Sequence, residues 1–127
     1  MLSSRIILQV ADLARSRAFY EDTLGLRVYR EYGAAGVVSG VVYFLGGGFL
    51  EITAGRRAGA GDTAILWIQV PDVSVEEARL VAAGVTVRKP AERMAWGLVE
   101  LWIEDPDGTE LRIVEVPDDH PLRRRVT

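Results

Sequence analysis

The sequence predicts an α+β fold made of two similar halves, each ordered as strand, helix, then three strands. Three observations predict it. The phrase Leu8-Gln9-Val10-Ala11-Asp12-Leu13 returns as Ile68-Gln69-Val70-Pro71-Asp72-Val73, an offset of 60 residues. A glycine closes the helical pattern in each half, Gly25 in the first and Gly84 in the second, an offset of 59. The remaining segments alternate apolar and polar residues with the period of two that marks half-buried strands.

In chain order, Ile6 to Val10 is a β-rich run, and Asp12 after it is a good N-cap. Leu13, Ala14, Arg17, Phe19, Tyr20 and Leu24 then lay an apolar stripe along a helix from Leu13 to Leu24. Extended structure resumes over Leu26 to Tyr32, and Gly33 to Gly36 is a candidate mobile loop. Val37 to Leu45 and Phe49 to Thr53 form a hairpin around Gly46-Gly47-Gly48, where positive φ costs little. Residues 55–62, rich in Gly, Ala and Arg, make a linker.

The second half begins with Leu66 to Val70. A helix follows, with Ser74 and Glu77 at capping-box spacing. Val85 to Arg88 is the next strand, and Lys89 to Trp96 is a second candidate mobile loop. Leu98 to Glu104 and Glu110 to Val116 pair through Asp105-Pro106-Asp107-Gly108, a turn with Pro and Gly in their preferred places. The chain reads as one domain, with modules over about 4–54 and 63–117 and an aperiodic tail over 118–127.

Composition narrows the function. The 127 residues contain no cysteine, which excludes disulfides, thiolate metal sites and a Cys nucleophile and fits a reducing compartment. His120 is the one histidine, so no site with several His ligands can form within one chain. Net charge is −3 with signs interspersed, which leaves no electrostatic footprint for nucleic acid. The basic run Arg123-Arg124-Arg125 reads as a solvated tail or a dimer contact. No signal peptide or membrane-length apolar run is evident, so a soluble, cytoplasmic protein without a membrane partner is expected.

Val10-Ala11-Asp12-Leu13-Ala14-Arg15-Ser16, Phe19-Tyr20 and Leu24-Gly25-Leu26 resemble the opening of the glyoxalase/bleomycin-resistance protein/dioxygenase (vicinal oxygen chelate) superfamily. Trp96-Gly97 followed by Asp105-Pro106-Asp107-Gly108 resembles its later part, and the likeness covers about residues 4–117. The resemblance implies two βαβββ modules forming a curved mixed sheet around a cavity, with helices on the outer face, and a homodimer. In the family's metal enzymes four residues on the first and last strands of the modules hold a divalent ion. Other members bind ligands without a metal. Those four positions here are Arg5, Glu51, Ile65 and Arg112. Only Glu51 has a ligating group, since Arg repels a cation and Ile has no lone pair.

Strand periodicity puts Ile6, Leu8 and Val10, Leu50 and Ile52, Leu66 and Ile68, Leu101 and Ile103, and Leu111 and Ile113 beneath the helices. The opposite face collects Arg5, Ile7, Gln9, Phe49, Glu51, Thr53, Ile65, Trp67, Gln69, Glu100, Trp102, Glu110 and Arg112. Arg5, Glu51 and Arg112 are read as a charge cluster with two possible roles. It is either a structural ion network in place of a metal, or an anion site with one Arg free for a carboxylate or phosphate. Trp67 and Trp102, with Met94 and Trp96 on a neighbouring loop and Tyr43 joining them if its strand keeps the expected register, either stack a flat ligand or pack a core or dimer seam.

The favoured function is a metal-free, cofactor-free protein that binds a small aromatic ligand, with an anionic group on it as an option, through Arg5, Gln9, Glu51, Trp67, Trp102 and Arg112. The alternative is a metal-independent isomerase or cyclase with Glu51 as acid/base, although neighbouring Arg charges would lower its pKa. A metal-dependent lyase or dioxygenase is the least favoured. His120 is read as a tail residue near a dimer contact rather than a base.

Overall fold

The computed structural model describes residue 1, residues 3–57 and residues 64–121. Most of the expected linker and the basic run Arg123-Arg124-Arg125 lie outside the described residues. The chain divides into two compact units, residues 1–61 and 62–127.

The first unit contains strand β1 (Arg5–Val10), helix α1 (Leu13–Arg17), a π-helical segment (Ala18–Thr23), and strands β2 (Val28–Ala34), β3 (Val37–Leu45) and β4 (Gly48–Ala54). They form one mixed sheet in the order β1-β4-β3-β2, with β1 parallel to β4 and the other pairs antiparallel. The second unit repeats the plan. It holds β5 (Ile65–Gln69), α2 (Val73–Ala82), β6 (Val87–Arg93), β7 (Val99–Glu104) and β8 (Glu110–Glu115), in the order β5-β8-β7-β6. Each unit is therefore a βαβββ module, and the fold is α+β.

Local chemistry explains the elements. Asp12 caps α1 by accepting from the Arg15 N–H at 3.0 Å, and Asp72 caps α2 by accepting from the N–H groups of Ser74 and Val75. The expected Ser74/Glu77 capping box does not form. Glu77 instead reaches β6 and accepts from the Ala91 N–H at 2.8 Å. The first helix also departs from a regular one. From Ala18 it widens to π geometry, with Leu24 N–H bonding the Phe19 carbonyl at 2.7 Å. Adjacent residues Phe19 and Tyr20 are thereby both buried, edge to face at 5.0 Å.

The cores sit between helix and sheet. Leu50, Ile52, Leu101, Ile103, Leu111 and Ile113 are essentially inaccessible, as their alternation predicts. Ile6 is an exception: it is 45% exposed near the start of edge strand β1, beyond the cover that α1 gives β3 and β4. Tyr43 is another correction. Its register partner is Leu50, so it faces the core, where it lies 6.2 Å from Tyr20 and donates its hydroxyl to Glu21.

Both expected mobile loops are strand hairpins. β2 and β3 leave only Ala35 and Gly36 between them, at φ 53° and 75°. That is the backbone of a type I′ turn, which matches strand twist but strains an alanine. Ala35→Gly is expected to raise stability by about 0.5–1 kcal/mol, read as a higher urea midpoint. In the second unit β6 continues to Arg93, with register shifts on either side of Lys89 that accommodate Pro90. The turn is confined to the segment between Met94 and Leu98, closed by Met94 N–H to the Leu98 carbonyl at 2.8 Å. Among the described residues, no helix is long and apolar enough to cross a membrane.

Candidate functional site

Each sheet has one face away from its helix, and register sets what that face carries. In the first unit, Ile7, Glu51, Val42 and Arg30 form a row across the strands. Arg5, Phe49 and Phe44 form the row on one side, and Gln9, Thr53, Gly40 and Tyr32 the row on the other. In the second unit the matching central row is Trp67, Arg112, Trp102 and Lys89. Glu51 and Arg112 thus occupy equivalent places in the two modules.

Glu51 is 8% exposed, and both of its oxygens are engaged. Arg5 donates to Oε1 at 2.8 Å and Tyr32 donates its hydroxyl to Oε2 at 2.6 Å. The Tyr32 bond is the main force holding the Glu51 carboxyl below the usual carboxylate range; burial pushes the other way, and Arg5 adds to the lowering. The same bond raises the Tyr32 phenol. Arg5 also lies over Phe49, which stacks with Tyr29 and Phe44 at centroid distances of 5.0–5.8 Å. Gln9 sits exposed at the end of its row.

The second face is built differently. Arg112 lies over Trp102, its guanidinium carbon 4.1 Å from the ring centroid. Its Nε donates to Glu110 at 2.7 Å. Arg88 donates to the other Glu110 oxygen at 2.8 Å and to Glu104 at 2.6 Å. Lys89 pairs with Glu92 and places its ammonium 5.7 Å from the Trp102 ring. Trp67, 48% exposed, stands beside Arg112 on edge strand β5. Glu100 is 3% exposed and accepts both the Trp96 and the Trp102 indole N–H, each at 2.8 Å.

The structure therefore joins Arg5 to Glu51 in one unit, and Trp67, Trp102 and Arg112 in the other. The ion partner of Arg112 is Glu110, whereas Glu51 is held by Arg5 and Tyr32. One participant, Tyr32, escaped sequence reasoning, and the partners of another, Glu100, did so in part. Tyr32 was hidden because β2 carries two register shifts, so alternation alone does not tell which face it joins. Glu100 as a double acceptor was legible only in part. Its two-residue spacing from Trp102 puts them on one face, but Trp96 arrives through the turn geometry. His120, read as a tail residue, folds back so that its Nε2 meets the Trp96 carbonyl at 3.0 Å.

The four metal positions that the resemblance implies do not fit a divalent ion. Glu51 is already saturated by Arg5 and Tyr32, the other three residues do not ligate, and among the described residues no group of three His, Cys, Asp or Glu side chains could hold one.

Residues 3–113 match the model of the Glyoxalase/Bleomycin resistance protein/Dioxygenase superfamily. Among solved structures, TioX from Micromonospora sp. ML1 is 21% identical with a TM-score of 0.73, the alignment covering 90% of this chain and 95% of that one. A superfamily member from Sphaerobacter thermophilus DSM 20745 is 24% identical, TM-score 0.70, covering 89% and 95%. A glyoxalase-related enzyme from Fulvimarina pelagi is 22% identical, TM-score 0.74, covering 90% and 87%. At these identities the likeness shows the fold alone. No curated protein sequence matches the chain.

Proposed function

The chain belongs to the glyoxalase/bleomycin resistance protein/dioxygenase superfamily, and from that premise we propose that it is a metal-free binding protein for a small, flat aromatic molecule bearing an anionic group. One observation carries this reading. The Arg112 guanidinium is fixed by Trp102 below it and by Glu110 at Nε, and among the described residues its two terminal nitrogens carry no hydrogen bond. A guanidinium held in this way presents its outer edge to a carboxylate or phosphate without losing further side-chain freedom. Trp67 offers exposed aromatic surface in the same row. In the first unit Arg5 and Glu51 serve as an ion pair that shapes the face, and Gln9 lines it.

The second reading, a metal-independent isomerase or cyclase with Glu51 as acid/base, is favoured less. A carboxylate held low by Tyr32 and Arg5 stays ionised and is a weak base at neutral pH. The proposal extends to a homodimer, because Ile7 in the first unit and Ile65 in the second are exposed apolar side chains that a second copy would cover. Light scattering tests that point, with a monomer mass as the contrary result.

The decisive experiment compares 2-naphthoate with neutral 2-naphthylmethanol by NMR titration. Arg112→Ala is expected to weaken naphthoate about 30-fold or more, as loss of a charge-assisted bond does, and to leave the alcohol nearly unchanged. Equal affinities with lowered stability would make Arg112 a structural residue only. Native mass spectrometry of the protein as isolated adds a second check: a co-purified organic mass supports the reading, and a stoichiometric divalent metal opposes it.

A further inference from the structure

The buried carboxylate on β7 has a role that the ion-pair networks around it do not account for. Most carboxylates on this face of the second unit answer a cation: Glu110 and Glu104 take Arg88, Glu110 takes Arg112, and Glu92 takes Lys89. Glu100 is buried more deeply than any of these, and its partners are two neutral indoles. Burying a carboxylate without a cation is costly unless strong donors meet each oxygen. Here one indole meets each. Trp102 comes from the same strand, two residues on; Trp96 comes from the Met94–Leu98 turn and is 53% exposed.

We propose that Glu100 is a positioning residue that clips Trp96 and Trp102 into a fixed pair, so that the ligand meets ring surface at a set place relative to the Arg112 fork. Both indole N–H groups are consumed by the clip. What remains for a ligand is π surface, chiefly that of exposed Trp96 since Arg112 covers one face of Trp102, and π surface recognises flatness and not a pattern of hydrogen-bond acceptors. The class of ligand follows: a planar aromatic oxyanion, its ring against indole and its charge on Arg112. An aliphatic acid of the same size would gain only the Arg112 contact. The turn is also braced from outside. His120 meets the Trp96 carbonyl, and its ring lies so close to Gly97, at φ 92°, that a Cβ there would come within 3.1 Å of it. Trp96 is thus held at both its indole and its backbone, which suits a preorganised wall better than a free surface side chain.

This inference rests on the ligand reading above, and its test separates the two. Glu100→Gln keeps shape and burial but turns an N–H₂ toward one indole, so one clip bond is lost. Trp96→Phe keeps an aromatic ring in an exposed turn and removes the indole N–H together with the five-membered ring. The first readout needs no ligand: the indole N–H resonances in a ¹H–¹⁵N spectrum of the free protein. Carboxylate-bonded indoles resonate apart from solvated ones, so the Trp96 or Trp102 signal is expected to move in Glu100→Gln. The second readout is affinity for 2-naphthoate against cyclohexanecarboxylate. Both variants are expected to weaken naphthoate about fivefold to tenfold and leave cyclohexanecarboxylate unchanged. Unmoved indole signals, or equal loss for both acids, would overturn the positioning role. If Glu100→Gln does not fold, the Trp102 indole signal of Trp96→Phe decides alone, because removing one donor changes the carboxylate that the other indole bonds, whereas the loss of ring area does not. Failure of the wild-type protein to bind either acid, with the indole shifts present, would sink the ligand reading and the specificity role built on it while leaving the clip itself intact.

Discussion

Asp105→Ala is expected to destabilise the protein by about 3 kcal/mol, because one buried carboxylate organises the entire β7–β8 turn. Asp105 is 5% exposed. Its Oδ1 accepts from the N–H groups of Asp107 at 2.9 Å and Thr109 at 2.8 Å, inside a turn that its own backbone closes through Gly108 and Thr109. Hydrogen bonds to a charged group contribute about 1.5–3 kcal/mol each, and removing the acceptor leaves the buried Thr109 N–H without it. The two strands joined by this turn carry Trp102 and Arg112, so the loss reaches the candidate site. Asp105→Asn is expected to recover much of the stability, since the amide oxygen still accepts. Chemical denaturation of the three proteins checks the order. An Asp105→Ala midpoint equal to wild type would show that the side chain is dispensable to the turn.

Gly40→Ala should cost about 2–3 kcal/mol and should also change how stability responds to acid. Tyr32 lies across Gly40, its register partner, so closely that a Cβ would fall 2.2 Å from the phenol carbon and oxygen. The ring would have to swing aside and carry its hydroxyl away from Glu51. The sign of the pH effect follows from Glu51. Its folded pKa lies below the ordinary value of 4.5, so the contribution is present above that value and is lost as pH falls through the folded pKa. Without the Tyr32 bond the pKa returns toward its ordinary value and that contribution shrinks. The gap between wild type and Gly40→Ala is therefore expected to be wide at neutral pH and to narrow as pH falls below the ordinary value of 4.5. A gap that stays constant over this range would mean that Tyr32 does not tune Glu51.

The duplicated architecture was legible because local rules repeat where the backbone repeats. Asp12 and Asp72 each precede a helix and each accept first-turn N–H groups; Gly25 and Gly84 close those helices at φ 84° and 82°. Alternation in β4, β7 and β8 separated core from opposite face, since a period of two admits only one register that buries every leucine and isoleucine. Trp67, Arg112 and Trp102 share a face for the same reason.

Other features depend on contacts that no local pattern encodes. Glu77 had the spacing of a capping residue, yet it serves a backbone N–H on β6, a strand that comes near only after folding. Tyr43 was placed by pairing with Leu50, and Tyr32 by the bulges of β2. The choice of partner for each charge was likewise tertiary. Side chains as long as Arg and Glu reach several neighbours, so Arg112 settles on Glu110 and Trp102, Glu51 on Arg5 and Tyr32, and Glu100 on two indoles. The sequence by itself determined the two modules, their cores and the residues available to a site, because these follow from period and capping over a few residues. Only the tertiary structure decided which of those residues are held closed and which keep a hydrogen-bonding edge open, because that depends on distances between strands far apart in the chain.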